Sequence, residues 1–115
     1  MIANGRGTII MMGSTSGLNA RAGEAAYAAS KFGLRGFTQS LFDEVRNHGI
    51  KVTLVCPSYV DTQLIPKNKK VDRAKFLRSE HIAEVVLNVA ATPPTCCPTE
   101  VVLEPQVEPY KSDLR

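Results

Sequence analysis

Three short apolar runs, separated by segments with helical periodicity, restrict this chain to a small set of folds. The runs are Thr8-Ile9-Ile10-Met11-Met12, residues 51–56 and Glu100-Val101-Val102-Leu103. Short apolar runs between turn residues are typical of strands buried on both faces of a parallel sheet. Such strands alternating with helices form βαβ units with right-handed crossovers. The order strand-helix-strand-helix-strand therefore predicts an α/β fold that is one half of a doubly wound, Rossmann-type parallel sheet.

The two intervening helices are indicated by their periodicity and by their ends. The first begins near Glu24 and stops at Gly49, a residue that commonly ends helices. Its apolar side chains at intervals of three and four residues are Leu34, Phe37, Leu41 and Val45. Within it, Gly33 and Gly36 predict close approach by another backbone, because glycine otherwise weakens a helix. The second helix is expected to take Ser79 as its N-cap and to end before Pro93.

Length and composition favour one small domain. Of the 115 residues, 43% are hydrophobic and 22% are charged, as in ordinary soluble globular proteins. We expect residues 1–104 to form a partial Rossmann-type catalytic domain and residues 105–115 to form a flexible C-terminal tail. The net charge of +3 is mild and forms no long basic stripe, so nucleic acid is not an expected partner. The basic group Lys67, Lys69, Lys70 and Arg73 is interpreted as a solvated loop.

Targeting signals, cysteines and histidines add little to this interpretation. No apolar run reaches the ~20 residues that a membrane helix needs, and the first residues have no secretory apolar region. The three cysteines, Cys56, Cys96 and Cys97, fit free thiols in a reducing compartment. The lone histidines His48 and His81 are expected at the surface. We therefore expect a cytoplasmic protein with no metal site and no membrane contact.

The residues most suggestive of chemistry form the run Tyr27-Ala28-Ala29-Ser30-Lys31. Side chains four apart on a helix are neighbours, so Tyr27 and Lys31 can act together. A nearby cation favours the phenolate, which brings a tyrosine toward the range useful for general acid/base work. A Tyr–Lys pair alone is also common on ordinary amphipathic helices, where the lysine merely reaches solvent.

Ser14 and the end of the second strand strengthen the functional interpretation. Ser14 follows the first strand, and ligands of parallel α/β sheets bind beyond the carboxyl ends of the strands. The helix that carries Tyr27 and Lys31 begins near that same edge. The run Pro57-Ser58-Tyr59-Val60-Asp61-Thr62 follows the second strand there. We therefore expect Ser14, Tyr27 and Lys31 to converge on one rim; Ser16 is a second hydroxyl candidate.

These motifs resemble the short-chain dehydrogenase/reductase family over about residues 5 to 104. The run Gly7-Thr8-Ile9-Ile10-Met11-Met12-Gly13-Ser14 is similar to its strand leading to a catalytic serine, and Tyr27-Ala28-Ala29-Ser30-Lys31 matches its Tyr-x-x-x-Lys motif. Gly49-Ile50-Lys51-Val52 and residues 56–62 resemble its following strand and loop. Ser58 departs from that family's usual glycine.

The resemblance implies hydride transfer between NAD or NADP and a small carbonyl or alcohol substrate. Tyr27 would exchange the proton of the substrate oxygen, Ser14 would bind and orient the carbonyl, and Lys31 would act on Tyr27 and bind the nicotinamide ribose. Cofactor contacts are also expected at Pro57, Val60 and Thr62, and a homo-oligomer is expected through the helix over residues 24–48.

The family's glycine-rich cofactor fingerprint is not found in this sequence. Gly13-Ser14-Thr15-Ser16-Gly17-Leu18-Asn19 is a near match, but Asn19 replaces the last glycine and Gly23 interrupts the expected helix. The residue that would select NAD or NADP is missing with it. We therefore expect a truncated or excised catalytic half; the alternative is an inactive remnant that serves as a dimerising interaction module.

Overall fold

The strands and helices of the chain alternate as the sequence predicts. The computed structural model describes residues 1–63 and 70–110. Its strands are β1 (Gly7–Met12), β2 (Ile50–Pro57) and β3 (Glu100–Leu103), and its α-helices are α1 (Ala25–Val45) and α2 (Ser79–Ala90). The sheet order is β1-β2-β3, with both pairs parallel. The predicted α/β fold with a parallel sheet is confirmed.

Strand β2 is the centre of the sheet and of the core. It pairs with β1 from Gly7↔Ile50 onward and with β3 up to Pro57↔Leu103. Among residues 1–63 and 70–110, the most fully buried large side chains all lie on it and are Val52, Thr53, Val55 and Cys56. A strand paired along both edges and covered on both faces needs apolar residues at successive positions. The mainly apolar sequence of this strand, which also contains Lys51 and Thr53, follows from this placement.

The two helices cover opposite faces of the sheet. Val52 and Leu54 line a cavity together with side chains of α1. Lys51, the residue before Val52, points to the opposite face and caps the end of α2. Its Nζ donates to the carbonyl oxygen of Thr92 at 2.8 Å and to the Thr92 Oγ1 at 2.7 Å. Because successive strand residues face opposite sides, α1 and α2 form the outer layers of a three-layer domain.

The end of α1 lies close to the predicted stop. A short 3-10 turn, Arg46–His48, follows the helix and leads to Gly49 at a φ of 77°. A side chain at this position would run into the carbonyl oxygen of Gly5. Glycine is therefore needed here for both its left-handed backbone and its lack of a Cβ.

The start of α2 differs from the prediction by one residue. Arg78, rather than Ser79, is the N-cap, and Ser79 is the first helical residue. The Nδ1 atom of His81 accepts a hydrogen bond from the Arg78 backbone N–H at 3.0 Å. His81 therefore helps to fix the beginning of the helix, a role that its position in the sequence did not suggest.

Helix α1 presents an apolar face outward. Ala28 and Thr38 are its buried residues, whereas Phe32 and Phe37 are 42% and 55% exposed. Phe37 therefore does not belong to the core stripe predicted from the periodicity. The close approach predicted at Gly33 and Gly36 is not made within the described residues, since a Cβ at either position would meet no described atom within 4 Å.

Part of the predicted C-terminal tail packs against the domain. The carbonyl oxygen of Pro109 accepts from the backbone N–H of Asp72 at 2.7 Å, and Tyr110 forms an antiparallel bridge with Val71. Pro109 and Tyr110 thus pack against the segment that follows β2, whereas the sequence predicted a free tail from residue 105. This packing brings Tyr110 to the cleft described below.

Candidate active site

A cleft of about 1180 Å³ opens beyond the carboxyl ends of β1 and β2. Met12 and Pro57, the last residues of these strands, line it. The sequence-predicted site residues that line the same cleft are Ser14, Tyr27, Lys31, Pro57, Val60 and Thr62. The structure therefore brings all of them together, in the position where parallel α/β sheets bind ligands.

Ser14 is held in place by its own loop. It is 9% exposed, and its Oγ accepts a hydrogen bond from the Ser16 backbone N–H at 3.1 Å, capping the short 3-10 helix Thr15–Gly17. The Ser14 hydroxyl retains its hydrogen for donation. The other hydroxyl candidate, Ser16, donates to the Glu24 carboxylate at 3.1 Å. Of the two, Ser14 is better suited to donate to a ligand.

The loop after Ser14 packs directly on the backbone of α1. A Cβ at Gly17 would lie 2.8 Å from the carbonyl oxygen of Lys31. That separation is too short for any residue with a side chain, so glycine permits the contact. The loop and the helix are therefore in close backbone contact at the turn that carries Lys31.

Tyr27 and Lys31 lie side by side near the beginning of α1. The Lys31 Nζ is 5.6 Å from the centroid of the Tyr27 ring and donates to the Met12 carbonyl oxygen at 3.3 Å. Tyr27 is 41% exposed, and both residues line the cleft. The arrangement places a phenol beside an ammonium group where a ligand oxygen can reach it, which is what proton exchange by a tyrosine requires.

The loop after β2 brings the backbone of Val60 to the wall of the cleft. Val60 forms a parallel bridge with Leu77. In this bridge the Leu77 N–H donates to the Tyr59 carbonyl oxygen, and the Asp61 N–H donates to the Leu77 carbonyl oxygen. The Val60 N–H and C=O therefore face away from Leu77, and neither makes a backbone hydrogen bond within residues 1–63 and 70–110. The Val60 N–H donor and the Val60 C=O acceptor can therefore both bind the same ligand.

Arg73 braces this loop from outside the cleft. Its Nη2 donates to Asp61 Oδ1 at 2.6 Å and to the Thr62 carbonyl oxygen at 2.9 Å. Lys70, expected in a solvated loop, lines the cleft, whereas Lys67 and Lys69 lie outside the described residues.

Three further cleft residues, Arg21, Tyr59 and Tyr110, were missed by the sequence analysis as site residues. The Arg21 Nη1 donates to the hydroxyl of Tyr110 at 2.6 Å and to that of Tyr59 at 3.2 Å, and the two hydroxyls are 2.7 Å apart. The Tyr59 ring stacks on Phe76 with centroids 5.2 Å apart. Burial, with the hydrogen bond to Tyr110, raises the pKa of Tyr59, so it stays a neutral phenol. No periodicity marks these residues, because all three lie outside the helices and strands.

The described ranges lack two features that mark other classes of protein. Residues 1–63 and 70–110 contain no group of three or more His, Cys, Asp or Glu side chains that could hold a metal ion. In the same ranges, no helix is both long enough and apolar enough to cross a membrane.

Comparison with known proteins identifies the family. The family model described as short chain dehydrogenase matches residues 1–72, which is more than half of the chain. This chain belongs to the short-chain dehydrogenase family, as its motifs predict.

Individual relatives are similar over part of their length. Carbonyl reductase family member 4 from Xenopus laevis is 33% identical over 99 residues, covering 81% of this chain and 42% of that protein. The 3-oxoacyl-[acyl-carrier-protein] reductase FabG from Salmonella typhimurium is 47% identical over 71 residues, covering 62% of this chain and 29% of that protein. The crystal structure of serine dehydrogenase from Escherichia coli superposes with a TM-score of 0.77 at 25% identity, covering 96% of this chain and 45% of that one. The chain spans less than half the length of these relatives.

Proposed function

We propose that this chain is the catalytic half of an NAD(P)-dependent oxidoreductase that transfers hydride between a nicotinamide and a carbonyl or alcohol. The observation that carries the proposal is the convergence of Ser14, Tyr27 and Lys31, from a strand end and a helix, in one cleft at the carboxyl edge of the sheet. The names of two relatives, a carbonyl reductase and a 3-oxoacyl-[acyl-carrier-protein] reductase, support a carbonyl substrate.

Each of the three residues has a role that its surroundings suit. Tyr27 exchanges a proton with the substrate oxygen, since its phenol is exposed in the cleft. Lys31 holds its ammonium group beside the Tyr27 ring and hydrogen-bonds the nicotinamide ribose. Ser14 donates to the substrate carbonyl oxygen and orients it, because its hydroxyl is fixed by the Ser16 N–H and still has its hydrogen.

The residues after β2 fit the carboxamide of a nicotinamide. A carboxamide has an N–H donor and a C=O acceptor, and the Val60 backbone offers the complementary acceptor and donor on the cleft wall. Thr62 and Pro57 line the same wall. When bound, the nicotinamide supplies or accepts the hydride, while the protein positions the reacting groups. NAD and NADP are not distinguished by the residues of this cleft.

A second candidate function, a dimerising interaction module without activity, is favoured by the outer face of α1. Phe32 and Phe37 are exposed there, and Gly33 and Gly36 leave open space beside them. Helices with small residues can pack closely against a partner. In the active form, the same face would join copies of a homo-oligomer. Sedimentation of Phe37→Asp against wild type tests this contact, with dissociation as the expected result.

The experiment for the main proposal is NAD(P)H-dependent carbonyl reduction by matched variants. Ser14→Ala and Lys31→Met should each lower kcat/KM by about tenfold or more, because each removes a hydrogen bond or charge at the reacting centre. Ser40→Ala and Lys75→Met change exposed residues and should match wild type. Equal activity in all four variants would refute the assignment. We expect a cytoplasmic enzyme acting on a small molecule, with no nucleic acid or membrane partner.

A further inference from the structure

The Arg21 cluster, defined as Arg21, Tyr59 and Tyr110, is a hydrogen-bonded group on the wall of the cleft. One guanidinium nitrogen bridges both phenol hydroxyls, at 2.6 Å and 3.2 Å, and the hydroxyls lie 2.7 Å from one another. Tyr59 is held by stacking on Phe76, and Tyr110 by its bridge to Val71. The guanidinium is therefore oriented by two fixed side chains.

The Arg21 cluster has more hydrogen-bond donors than acceptors within residues 1–63 and 70–110. Nη1 carries two hydrogens and donates one to each phenol, and one phenol donates to the other. The second phenol hydrogen, together with the Nε and Nη2 hydrogens of Arg21, has no acceptor among residues 1–63 and 70–110. The cluster thus presents hydrogen-bond donors and a positive charge, with no carboxylate among its members.

The charges around the cluster favour an anion. The described lining of the cleft contains Arg21, Lys31 and Lys70 as cations and Glu24 as its carboxylate. The Glu24 carboxylate accepts from the Ser16 hydroxyl, and among residues 1–63 and 70–110 no hydrogen bond joins this carboxylate to the Arg21 guanidinium. A planar guanidinium matches a carboxylate geometrically, since two parallel N–H donors can meet its two oxygens.

We propose that the Arg21 cluster binds the carboxylate of the substrate, so that the substrate class is an oxo acid reduced to a hydroxy acid. This inference rests on the proposed function for its chemistry. Hydride adds to the carbonyl carbon as the C=O π bond breaks, Tyr27 gives its proton to the oxygen, and NAD(P)H is oxidised to NAD(P)⁺. The carboxylate takes no part in bond making and stays ionised on Arg21.

The test compares acids with their neutral esters, first by binding. The probes are 2-oxopropanoate, 3-oxobutanoate and 4-oxopentanoate, each with its methyl ester, titrated against the ¹⁵N-labelled 115-residue chain while the Arg21 Nε–Hε signal is followed. At least one acid should bind about tenfold or more tightly than its ester, the range expected for charge-assisted hydrogen bonds. Arg21→Gln should remove the preference. Arg46→Gln, which changes an exposed arginine on the turn after α1, should keep it.

Two further variants test whether the preference for acids depends on the geometry of the Arg21 cluster. Tyr110→Phe should reduce the preference severalfold, because it removes one hydroxyl from the cluster. Arg21→Lys should retain only part of it, since an ammonium group cannot form the bidentate pair. Equal binding of every acid and ester, or an undiminished preference in Arg21→Gln, would overturn the inference.

Failure of this inference and failure of the proposed function give different results. Tyr27→Phe should keep the acid preference in binding and lose carbonyl reduction. If reduction survives in Tyr27→Phe, the proposed chemistry is wrong, while the binding comparison still decides whether Arg21 recognises a carboxylate. If reduction depends on Tyr27 but acids and esters react with equal kcat/KM, the chemistry stands and the acid substrate class is refuted.

Discussion

The ammonium nitrogen of Lys31 donates to the carbonyl oxygen of Met12 across 3.3 Å. This bond joins the first turns of α1 to the last residue of β1, two residues before Ser14. Gly17 reinforces the junction, because its missing side chain lets the following loop rest on the Lys31 backbone. The relative placement of the three proposed catalytic residues is therefore set by backbone packing as well as by their own side chains.

Substitution of Gly17 tests this packing. Gly17→Ala should destabilise the chain by about 1–3 kcal/mol, because its Cβ would lie 2.8 Å from the Lys31 carbonyl oxygen and the loop would have to shift. Gly33→Ala is the matched control, since its Cβ meets no described atom within 4 Å and alanine favours a helix by up to about 1 kcal/mol. Urea denaturation measures both. Equal stability of the two variants would contradict the packing described.

Arg73 should act on cofactor binding through the loop that it braces. Arg73→Gln removes the charge that holds Asp61 and the Thr62 carbonyl, so KM for NAD(P)H should rise severalfold with little change in kcat. Arg46→Gln provides an exposed arginine control on the turn after α1. A lowered kcat with unchanged KM would show that Arg73 does not work by positioning this loop.

Stability should decline at alkaline pH. Burial raises the pKa of the Cys56 thiol above its ordinary value of 9.0, and burial also raises the pKa of Tyr59 above 10.0. As pH rises past these ordinary values, both groups ionise in the unfolded chain first, so the free energy of unfolding falls. Urea denaturation should show this decline between about pH 8 and pH 11, a range that contains the ordinary pKa values of both groups. Cys56→Ala and Tyr59→Phe should each make it shallower; an unchanged slope in both would exclude these groups as its source.

The 115-residue chain should bind nicotinamide cofactors weakly when tested alone. The glycine-rich turn that would bind the pyrophosphate is not in this sequence, and that contact uses the N-terminus of a helix. We expect dissociation constants for NADH and NADPH above the micromolar range by fluorescence titration. Micromolar binding by this chain would show that the cleft holds the cofactor without that turn.

The sequence was most informative where one physical pattern dominates. Strand β2 is buried on both faces, so its apolar run predicts its position, and Glu100–Leu103 coincides with β3. The run containing Tyr27 and Lys31 places both on one helix face. The order of these elements was enough to predict that Ser14 would share their cleft, as the structure shows.

Other features depend on contacts between distant parts of the chain. Tyr110 lies 89 residues from Arg21, and their hydrogen bond forms only because Tyr110 packs against the segment after β2. Phe37 fits an apolar periodicity, yet α1 turns Ala28 and Thr38 toward the core instead. The N-cap of α2 is displaced from Ser79 because the His81 side chain bonds to the Arg78 backbone. No local pattern encodes these three arrangements.

The central claim is that Tyr27 exchanges the substrate proton, and removal of its hydroxyl tests this most directly. Tyr27→Phe keeps the aromatic ring beside Lys31, so the fold should persist, and circular dichroism checks that it does. The account predicts that kcat/KM for NAD(P)H-dependent carbonyl reduction falls by about 10²–10⁴, the usual contribution of a general acid. Carbonyl reduction at the wild-type rate by a folded Tyr27→Phe protein would contradict it.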